Sequence, residues 1–221
     1  GAEVTVPARN PLSRRSMRAC IRNADYVISA GGYPLAEAER SIGRAIDAVM
    51  VPPGVDRRRF RPLSDDEAAS TRRRWGLPER GPVVLGLSRL VPRKGFDVLI
   101  DAVARLHADH RDVTLAIAGT GRDEQRLRRR AERAGVGVHF LGRIPDDEMS
   151  ALFGAADIFA MLCRDRWFGW EQEGFGIVFL EAAAAGTPQV AGRSGGSHEA
   201  VVDGQTGRVV NDPSDVAEVA A

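Results

Sequence analysis

Short apolar runs alternate with amphipathic stretches along most of the chain. The apolar runs predict buried strands at 83–87, 113–118, 138–141, 158–162, 189–191 and 208–210. The amphipathic stretches predict helices at 65–75, 95–107, 122–134, 146–155, 177–185 and 198–202. Ser64 is a good N-cap for the first of these helices. Apolar strands that alternate with helices are typical of a parallel sheet covered on both faces. The pattern therefore predicts a doubly wound, Rossmann-like α/β domain.

A shorter series of elements comes first. It contains predicted strands at 4–6, 26–29 and 48–51 and predicted helices at 11–23 and 34–44. The sequence Pro52-Pro53-Gly54 then interrupts the chain, and this combination is a strong break. We expect a domain boundary there, with residues 1–50 the tail of one domain and 51–221 a second domain. The chain begins at Gly1 and stops inside an apparent helix, so we interpret it as a piece of a longer protein.

Composition and charge exclude several classes of protein. The 31 basic and 30 acidic residues give a net charge of +1, so no strong attraction to nucleic acid is expected. Two cysteines fit neither a zinc spacing nor a disulfide framework, and we expect a reducing, cytoplasmic setting. No apolar run approaches the ~20 residues that span a bilayer. Lys94 is the single lysine among the basic residues; it marks either a need for a compact charge or chance.

Glycine and polar residues follow the predicted strands at their carboxyl ends. These segments are Ser88-Arg89, Gly119-Thr120-Gly121, Gly142-Arg143, Cys163-Arg164-Asp165 and Gly192 to Gly196. Ligands of open parallel sheets bind at this edge. Glycines let a ligand approach the backbone, and arginines suit an anion. One glycine alone is usually a turn or a cap, but five neighbouring loops of the same chemistry predict a binding rim.

Two pairs of residues sharpen this prediction. Arg89 and Lys94 flank one βα loop and could reach the same phosphate. Glu173 precedes a predicted helix whose free amides near Gly176 would form an anion site. Glu181, one turn into that helix, could accept hydrogen bonds from a ribose, and Glu173 from a second sugar. The alternatives are a surface ion pair for Arg89 and Lys94 and a simple helix-face position for Glu181.

The motifs from about Val51 to Ala221 together resemble a known family. They are Val51-Pro-Pro-Gly-Val-Asp56, Ser88-Arg-Leu90 with Lys94-Gly95, Ala118-Gly-Thr-Gly121, Glu173-x7-Glu181, Ala185-Gly-Thr-Pro188 and Ser194-Gly-Gly196. In this order they resemble the C-terminal, donor-binding domain of family 4 retaining glycosyltransferases with the GT-B fold. The resemblance implies two Rossmann-like domains, of which residues 1–50 would be a remnant of the N-terminal one.

The resemblance also implies a role for each matching residue. Arg89 and Lys94 would hold the donor diphosphate, Glu173 would position the transferred hexose, and these three would be the catalytic residues. Glu181 would bind the ribose. The complete implied donor site is Ser88, Arg89, Lys94, Gly119, Gly121, Arg143, Ile144, Glu173, Gly174, Phe175, Gly176, Ile177, Val178 and Glu181. The chain around Arg143 and Ile144 would meet the nucleobase. No cofactor and no metal are expected, since the chain has no Asp-x-Asp.

The sequence Cys163-Arg-Asp-Arg-Trp-Phe-Gly-Trp170 carries a narrower resemblance. It is similar to the actinobacterial GDP-mannose-dependent phosphatidylinositol mannosyltransferases of the PimB type. This implies GDP-mannose as donor and a phosphatidylinositol mannoside as acceptor, on the inner face of the plasma membrane. Trp167, Phe168 and Trp170 would then belong to an acceptor site; the alternative is a packed loop.

One part of the family pattern is absent, because its catalytic His-Gly would place the His just before Gly1. We therefore expect this chain to bind donor weakly and to transfer no sugar without the missing N-terminal domain. Three alternative functions remain: a transferase that uses a UDP-sugar and another acceptor, a GT-B phosphorylase or sugar-phosphate synthase, and a non-catalytic nucleotide-binding fragment. A dinucleotide dehydrogenase is disfavoured because no Gly-x-Gly-x-x-Gly follows a strand.

Overall fold

The computed structural model describes residues 10–109 and 111–221, so the predicted strand at 4–6 lies outside the described residues. The helices are α1 (Pro11–Arg22), α2 (Gly32–Ile42), α3 (Asp65–Arg74), α4 (Phe96–Ala108), α5 (Glu124–Ala134), α6 (Met149–Gly154), α7 (Ile177–Ala184) and α8 (Val216–Ala220). The strands are β1 (Val27–Ser29), β2 (Ala48–Met50), β3 (Val83–Leu87), β4 (Thr114–Ala118), β5 (Val138–Gly142), β6 (Ile158–Met161), β7 (Gln189–Gly192) and β8 (Gly207–Val210). Short 3₁₀ turns occupy Pro92–Lys94, Asp146–Glu148 and Ser197–Ala200.

Six strands form one parallel sheet in the order β5-β4-β3-β6-β7-β8. The chain runs outward from β3 to β5 and then returns to place β6 on the other side of β3. Such a reversal opens a crevice at the carboxyl ends of the two strands, where ligands bind in this architecture. The predicted doubly wound α/β fold is confirmed. The pair β1 and β2 forms a separate two-stranded parallel sheet.

Apolar side chains fill both faces of the six-stranded sheet. One cluster contains Leu85, Phe159 and Phe179, and the other contains Ile100 and Leu115. Every residue of β3 is buried. This explains why the strand sequences read as continuous apolar runs instead of alternating with polar residues.

Local sequence signals set several helix ends. At α3, Ser64 Oγ accepts the Glu67 amide at 3.3 Å and Glu67 Oε2 accepts the Ser64 amide at 2.9 Å, which completes a capping box. The helix predicted to begin at 95 starts one residue later. Gly95 has φ +70°, and a Cβ there would lie 2.1 Å from the carbonyl oxygen of Leu162. Tertiary packing therefore forces Gly95 into the left-handed region, which other residues rarely adopt.

Two predicted helices are shorter and tighter than expected. The stretch 146–155 is a 3₁₀ turn followed by α6, and the stretch 198–202 is only the 3₁₀ turn Ser197–Ala200. The helix predicted from 122 begins at Glu124. Helix ends commonly tighten into 3₁₀ turns where intrahelical bonds run out, so the sequence pattern overestimates these helices.

Candidate functional site

The loops that follow β3, β4 and β5 form one continuous rim. The amide of Ser88 donates to Ala118 at 3.2 Å, and the amide of Leu90 donates to Thr120 at 2.9 Å. The amide of Gly119 donates to the carbonyl of Gly142 at 2.6 Å. The structure therefore brings together the predicted segments around Ser88, Gly119 and Arg143.

The two rim glycines after β4 are required by protein packing. A Cβ at Gly119 would lie 1.9 Å from the Ser88 carbonyl oxygen, and one at Gly121 would lie 2.2 Å from that of Leu90. Gly119 also has φ +119°. The backbone that lies close to these two glycines belongs to the neighbouring loop and not to a ligand. The sequence-based explanation that these glycines are present to admit a ligand is therefore corrected. Their contact with a donor stays a prediction.

Lys94 lies at the centre of the rim and is buried. Its Nζ donates to Glu173 Oε2 at 2.5 Å and lies 3.3 Å from Met161 Sδ. Arg93 Nη1 donates to the same carboxylate oxygen at 2.8 Å. Two cations from the loop after β3 thus converge on one carboxylate before α7. The surface-pair alternative is wrong for Lys94, because its pairing with an acid is in the interior.

Arg93 was not predicted as a site residue. It looks like one of many surface arginines in the sequence, but only 14% of its side chain is exposed, and it also lies 3.8 Å from a carboxylate oxygen of Glu171. The only available signal was its position beside Lys94 in the same tight turn.

Burial and neighbouring charges shift the pKa of Glu173 in opposite directions. Burial favours the neutral carboxyl, but the charge and hydrogen bond of Lys94, joined by the charge of Arg93, outweigh it and lower the pKa of Glu173. Cys163 Sγ lies 3.6 Å from the same carboxylate, and burial raises the pKa of that thiol to about 12. The carboxylate is therefore charged and the thiol neutral at pH 7, so Cys163 is not a thiolate nucleophile there.

We expect Glu173→Gln to lower the free energy of unfolding at pH 7 by about 1.5–3 kcal/mol, because the buried Lys94 loses its counter-charge and the partly buried Arg93 loses one of its two acidic partners. The folded-state pKa of Glu173 lies below the ordinary value of 4.5. Its stabilisation is therefore present above the unfolded-state pKa and lost as the pH falls through the folded-state pKa. Urea unfolding of both proteins from pH 7 down to about pH 3 measures this. A difference that stays constant over the range contradicts the assignment.

Arg89 differs from Lys94 in its surroundings. It is exposed, and within the described ranges its side chain makes no hydrogen bond or ion pair. Arg143 is likewise exposed on the loop after β5, with the partly buried Ile144 packed against the core beside it. Among the described residues, neither Arg89 nor Arg143 has an acidic partner, in contrast to the paired Lys94, and exposed guanidinium groups of this kind attract anions.

The N-terminus of α7 supplies further positive character. Gly176 has φ +84° and precedes the helix without a side-chain cap. Among the described residues, the amides of Gly176, Ile177 and Val178 have no hydrogen-bond acceptor. Free amides at a helix start bind anions through their N–H groups and the helix dipole. Gly174 and Phe175 lie in the loop just before, as predicted.

Glu181 is half-buried on α7 and is only weakly compensated. Burial raises the pKa of its carboxyl; the charge of Arg59 opposes this, and the charge of Asp146 reinforces it. Arg59 itself is bonded to Asp146, with Nη2 2.9 Å from Oδ1. Within the part of the chain that the structure describes, no hydrogen bond or ion pair reaches the carboxylate of Glu181. The residue carries a desolvation cost and keeps its oxygens available for a ligand.

We expect Glu181→Gln to raise the free energy of unfolding at pH 7 by about 0.5–1 kcal/mol, because it removes a poorly solvated charge. A carboxyl with a raised folded-state pKa costs stability above that pKa, so the gain disappears at acid pH. The same variant tests the ribose contact predicted from the sequence, because loss of a charge-assisted acceptor at such a contact is expected to weaken nucleotide binding by about tenfold. Thermal unfolding and calorimetric titration give the two values. Loss of stability together with unchanged binding would assign Glu181 a structural role.

The aromatic segment after β6 projects from the rim. Arg166 and Glu171 close it through two backbone hydrogen bonds of 3.0 and 3.2 Å. Trp167, Phe168 and Trp170 are 61%, 101% and 41% exposed. Trp167 and Phe168 have positive φ values of 50° and 56°, a conformation that is uncommon for bulky residues. The exposure of Trp167 and Phe168 favours the acceptor-site prediction over the packed loop, and the role of all three rings stays a prediction.

Comparison with known proteins places these features in one family. The sequence model described as "Glycosyl transferases group 1" matches residues 67–221. A GDP-mannose-dependent alpha-(1-6)-phosphatidylinositol monomannoside mannosyltransferase of Mycolicibacterium smegmatis is 46% identical, over 91% of this chain and 53% of that protein. A monoacylated phosphatidylinositol monomannoside mannosyltransferase of Corynebacterium glutamicum, also GDP-mannose-dependent, is 42% identical, over 90% of this chain and 52% of that protein. The chain spans about half the length of these curated relatives.

Solved structures of similar fold agree with this family assignment. Anabaena Alr3699/HepE in complex with UDP-glucose superposes with a TM-score of 0.81 at 27% identity, over 98% of this chain and 58% of that chain. A sucrose-phosphate synthase from Thermosynechococcus elongatus superposes with a TM-score of 0.80 at 27% identity, over 96% and 51%. The predicted resemblance to GT-B glycosyltransferases, and to the PimB type within them, is confirmed. No helix among the described residues is long and apolar enough to cross a membrane.

Proposed function

The chain belongs to the group 1 family of glycosyl transferases, and on this premise we propose that it is the donor-binding part of a retaining mannosyltransferase. The donor is GDP-mannose and the acceptor is a phosphatidylinositol mannoside. The single observation that carries the proposal is the pairing of the buried Lys94 with Glu173, just before α7, at the carboxyl ends of β3 and β6. The mannosyltransferase relatives support the choice of donor and acceptor.

The proposed chemistry is breakage of the bond between the hexose C1 and the diphosphate oxygen. Negative charge grows on the leaving diphosphate, and Arg89, Lys94 and the amides of α7 stabilise it in the transition state. The acceptor hydroxyl attacks C1 from the face that the diphosphate leaves and passes its proton to the departing diphosphate oxygen, so the anomeric configuration is kept. The fixed cations supply the charge that a metal ion supplies in other transferases, and we propose that no metal is needed.

Glu173 is proposed to position the hexose. Its carboxylate is already held by Lys94 and Arg93 at 2.5 and 2.8 Å, so its orientation is fixed before donor binds. A preorganised acceptor of hydrogen bonds fits the hydroxyls of a sugar without further reorganisation. Glu181 accepts hydrogen bonds from the ribose, and the chain at Arg143 and Ile144 contacts the guanine.

Residues 1–50 are proposed to belong to the acceptor-side domain. Their described part forms its own two-stranded sheet instead of extending the sheet of six strands. The acceptor pocket and transfer activity then require the rest of that domain. We propose that the 221-residue chain binds donor without transferring sugar, in the cytoplasm and peripherally at the inner face of the plasma membrane.

Calorimetric titration with GDP-mannose, UDP-glucose, GDP and UDP, in the presence of a chelator, tests the donor. Tighter binding of the guanine pair supports the proposal. Tighter binding of the uracil pair favours the alternative of a UDP-sugar transferase with another acceptor. Absence of binding by all four compounds to the folded chain contradicts the proposed donor site.

The exposed aromatic segment gives the proposal a membrane test. We expect the double variant Trp167→Ala and Trp170→Ala to reduce binding of the chain to phosphatidylinositol-containing vesicles at least tenfold, because indole rings favour the interface between water and lipid. Binding of GDP-mannose should be unchanged. Vesicle sedimentation measures the first quantity, and Tyr26→Ala, which removes an aromatic ring that is 84% exposed outside this segment, serves as the control. Equal vesicle binding by all three proteins would contradict the assignment.

A further inference from the structure

The first turn of α2 lies directly against the loops of the donor rim. A Cβ at Gly31 would lie 3.3 Å from Cδ2 of Phe175, and one at Gly195 would lie 3.1 Å from Cε1 of Tyr33. The Tyr33 hydroxyl is hydrogen-bonded to Oε1 of Gln172. The segment Gly31-Gly32-Tyr33, here called the α2 turn, therefore faces the same loop that carries Glu173 and Phe175.

One carboxylate holds the α2 turn in this position. Glu199 Oε2 accepts the Gly32 amide at 2.7 Å, and Oε1 accepts the Tyr33 amide at 2.6 Å. Both amides belong to the start of an 11-residue helix, where the first N–H groups have no intrahelical acceptor and the dipole favours a negative charge. The contact is close, since a Cβ at Gly31 would lie 2.2 Å from Glu199 Oε2.

Glu199 is distant in sequence from the α2 turn that it holds. It lies in the 3₁₀ turn after β7, and 167 positions separate it from Gly32. The backbone of that turn is fixed to the rim as well, because the Gly196 amide donates to the Glu173 carbonyl at 3.0 Å. The carboxylate of Glu199 therefore connects the acceptor-side segment to the loop that positions the hexose.

We propose that Glu199 is a positioning residue, which holds the α2 turn as the wall of the site on the hexose side. The inference rests on the proposed function and adds a residue for which no role has yet been given. The wall lies beside Phe175 and the loop that carries Glu173, on the side of the rim proposed for the hexose. Loss of this wall should lower the affinity for the sugar part of the donor more than the affinity for the nucleotide part.

The test compares Glu199→Gln with a matched control in the same chain. Glu218 also accepts two backbone amides, those of Asn211 at 2.8 Å and Asp212 at 2.9 Å, but it lies on α8. Glu218→Gln therefore removes a charge from the same kind of contact without touching the α2 turn. Glu199→Asp is a second variant that keeps the charge and shortens the reach.

Affinities for GDP-mannose and for GDP are measured by calorimetry. In Glu199→Gln we expect the affinity for GDP-mannose to fall by about tenfold and that for GDP by less than about twofold. Glu218→Gln should change neither, and Glu199→Asp should lie between. An equal loss for both ligands, or no loss for either, overturns the positioning role, while absence of donor binding by the unmodified chain overturns the proposed function and the inference with it.

Amide hydrogen exchange gives a measurement that needs no donor. The amides of Gly32 and Tyr33 should exchange at least tenfold faster in Glu199→Gln than in the unmodified chain, since they lose a charged acceptor. In Glu218→Gln their exchange should be unchanged. Unchanged exchange in Glu199→Gln overturns the proposed contact, whatever the binding data show.

Discussion

Replacing Lys94 with alanine should lower the affinity of the chain for a nucleoside-diphosphate sugar by about 10- to 100-fold. Loss of one charge-assisted hydrogen bond costs about 1.5–3 kcal/mol, and each 1.4 kcal/mol is tenfold in affinity. A second effect acts in the same direction. Without Lys94, Glu173 keeps Arg93 as a cationic partner but loses the ammonium, and its less neutralised carboxylate repels the incoming diphosphate.

Two controls separate this effect from a general loss of charge. Arg105→Ala removes an exposed cation from the far end of α4 and should leave binding unchanged. Lys94→Arg keeps the charge, but a planar guanidinium does not fit the buried space of a compact ammonium, so part of the loss should remain. Calorimetric titration with GDP and GDP-mannose measures all three variants. Affinity within twofold of the unmodified chain for Lys94→Ala would contradict the phosphate assignment.

Replacing Phe159 with alanine should lower the free energy of unfolding by about 3–5 kcal/mol, as expected for a fully buried ring. Phe159 lies on β6 with no exposed surface. Its ring is 5.3 Å from that of Phe153 and 5.4 Å from that of Phe179, in both cases close to edge-on. Such pairs add about 0.5–1.5 kcal/mol each to the burial of the ring itself.

Urea unfolding monitored by circular dichroism measures this loss. Tyr26→Ala is a control of similar size, because that ring is 84% exposed and its removal should change the stability by no more than about 0.5 kcal/mol. Phe159→Leu retains most of the volume and should lose much less than Phe159→Ala. If Phe159→Ala loses less than about 1.5 kcal/mol, the β6 face is not packed as described.

The pairing of Lys94 with Glu173 explains how a buried lysine can take part in the proposed anion site. An unpaired ammonium in the interior is costly, and the carboxylate of Glu173 compensates its charge. The pairing also fixes both side chains, so little reorganisation is required when a diphosphate binds as proposed.

The proposed site could be predicted in outline from local sequence. Arg89 with Lys94, and Glu173 with Glu181, form short motifs whose spacing is decided within one loop or one helix turn. The Ser64 capping box is local in the same way, since both of its bonds join residues three positions apart. Apolar runs predicted the strands of the large sheet because a strand that is buried on both faces has no polar alternation.

What remained unpredicted depends on contacts between distant parts of the chain. Arg93 and Glu173 are 80 positions apart, so nothing in either segment separates Arg93 from a surface arginine. Gly119 looks like a ligand contact until the Ser88 carbonyl is found in the space of its missing side chain. Glu199 is exposed, as its sequence context suggests, and only the tertiary structure shows that its carboxylate accepts two amides of α2.

The sequence alone determined the class of fold, the order of elements and the chemical types collected at the carboxyl edge of the sheet, because periodicity and short motifs are local properties. The tertiary structure decided which charges are paired, which are free, and which glycines are needed for packing. It also decided where the helices at 146–155 and 198–202 give way to 3₁₀ turns. These outcomes depend on burial and on distances across the fold, and both arise only when the chain is folded.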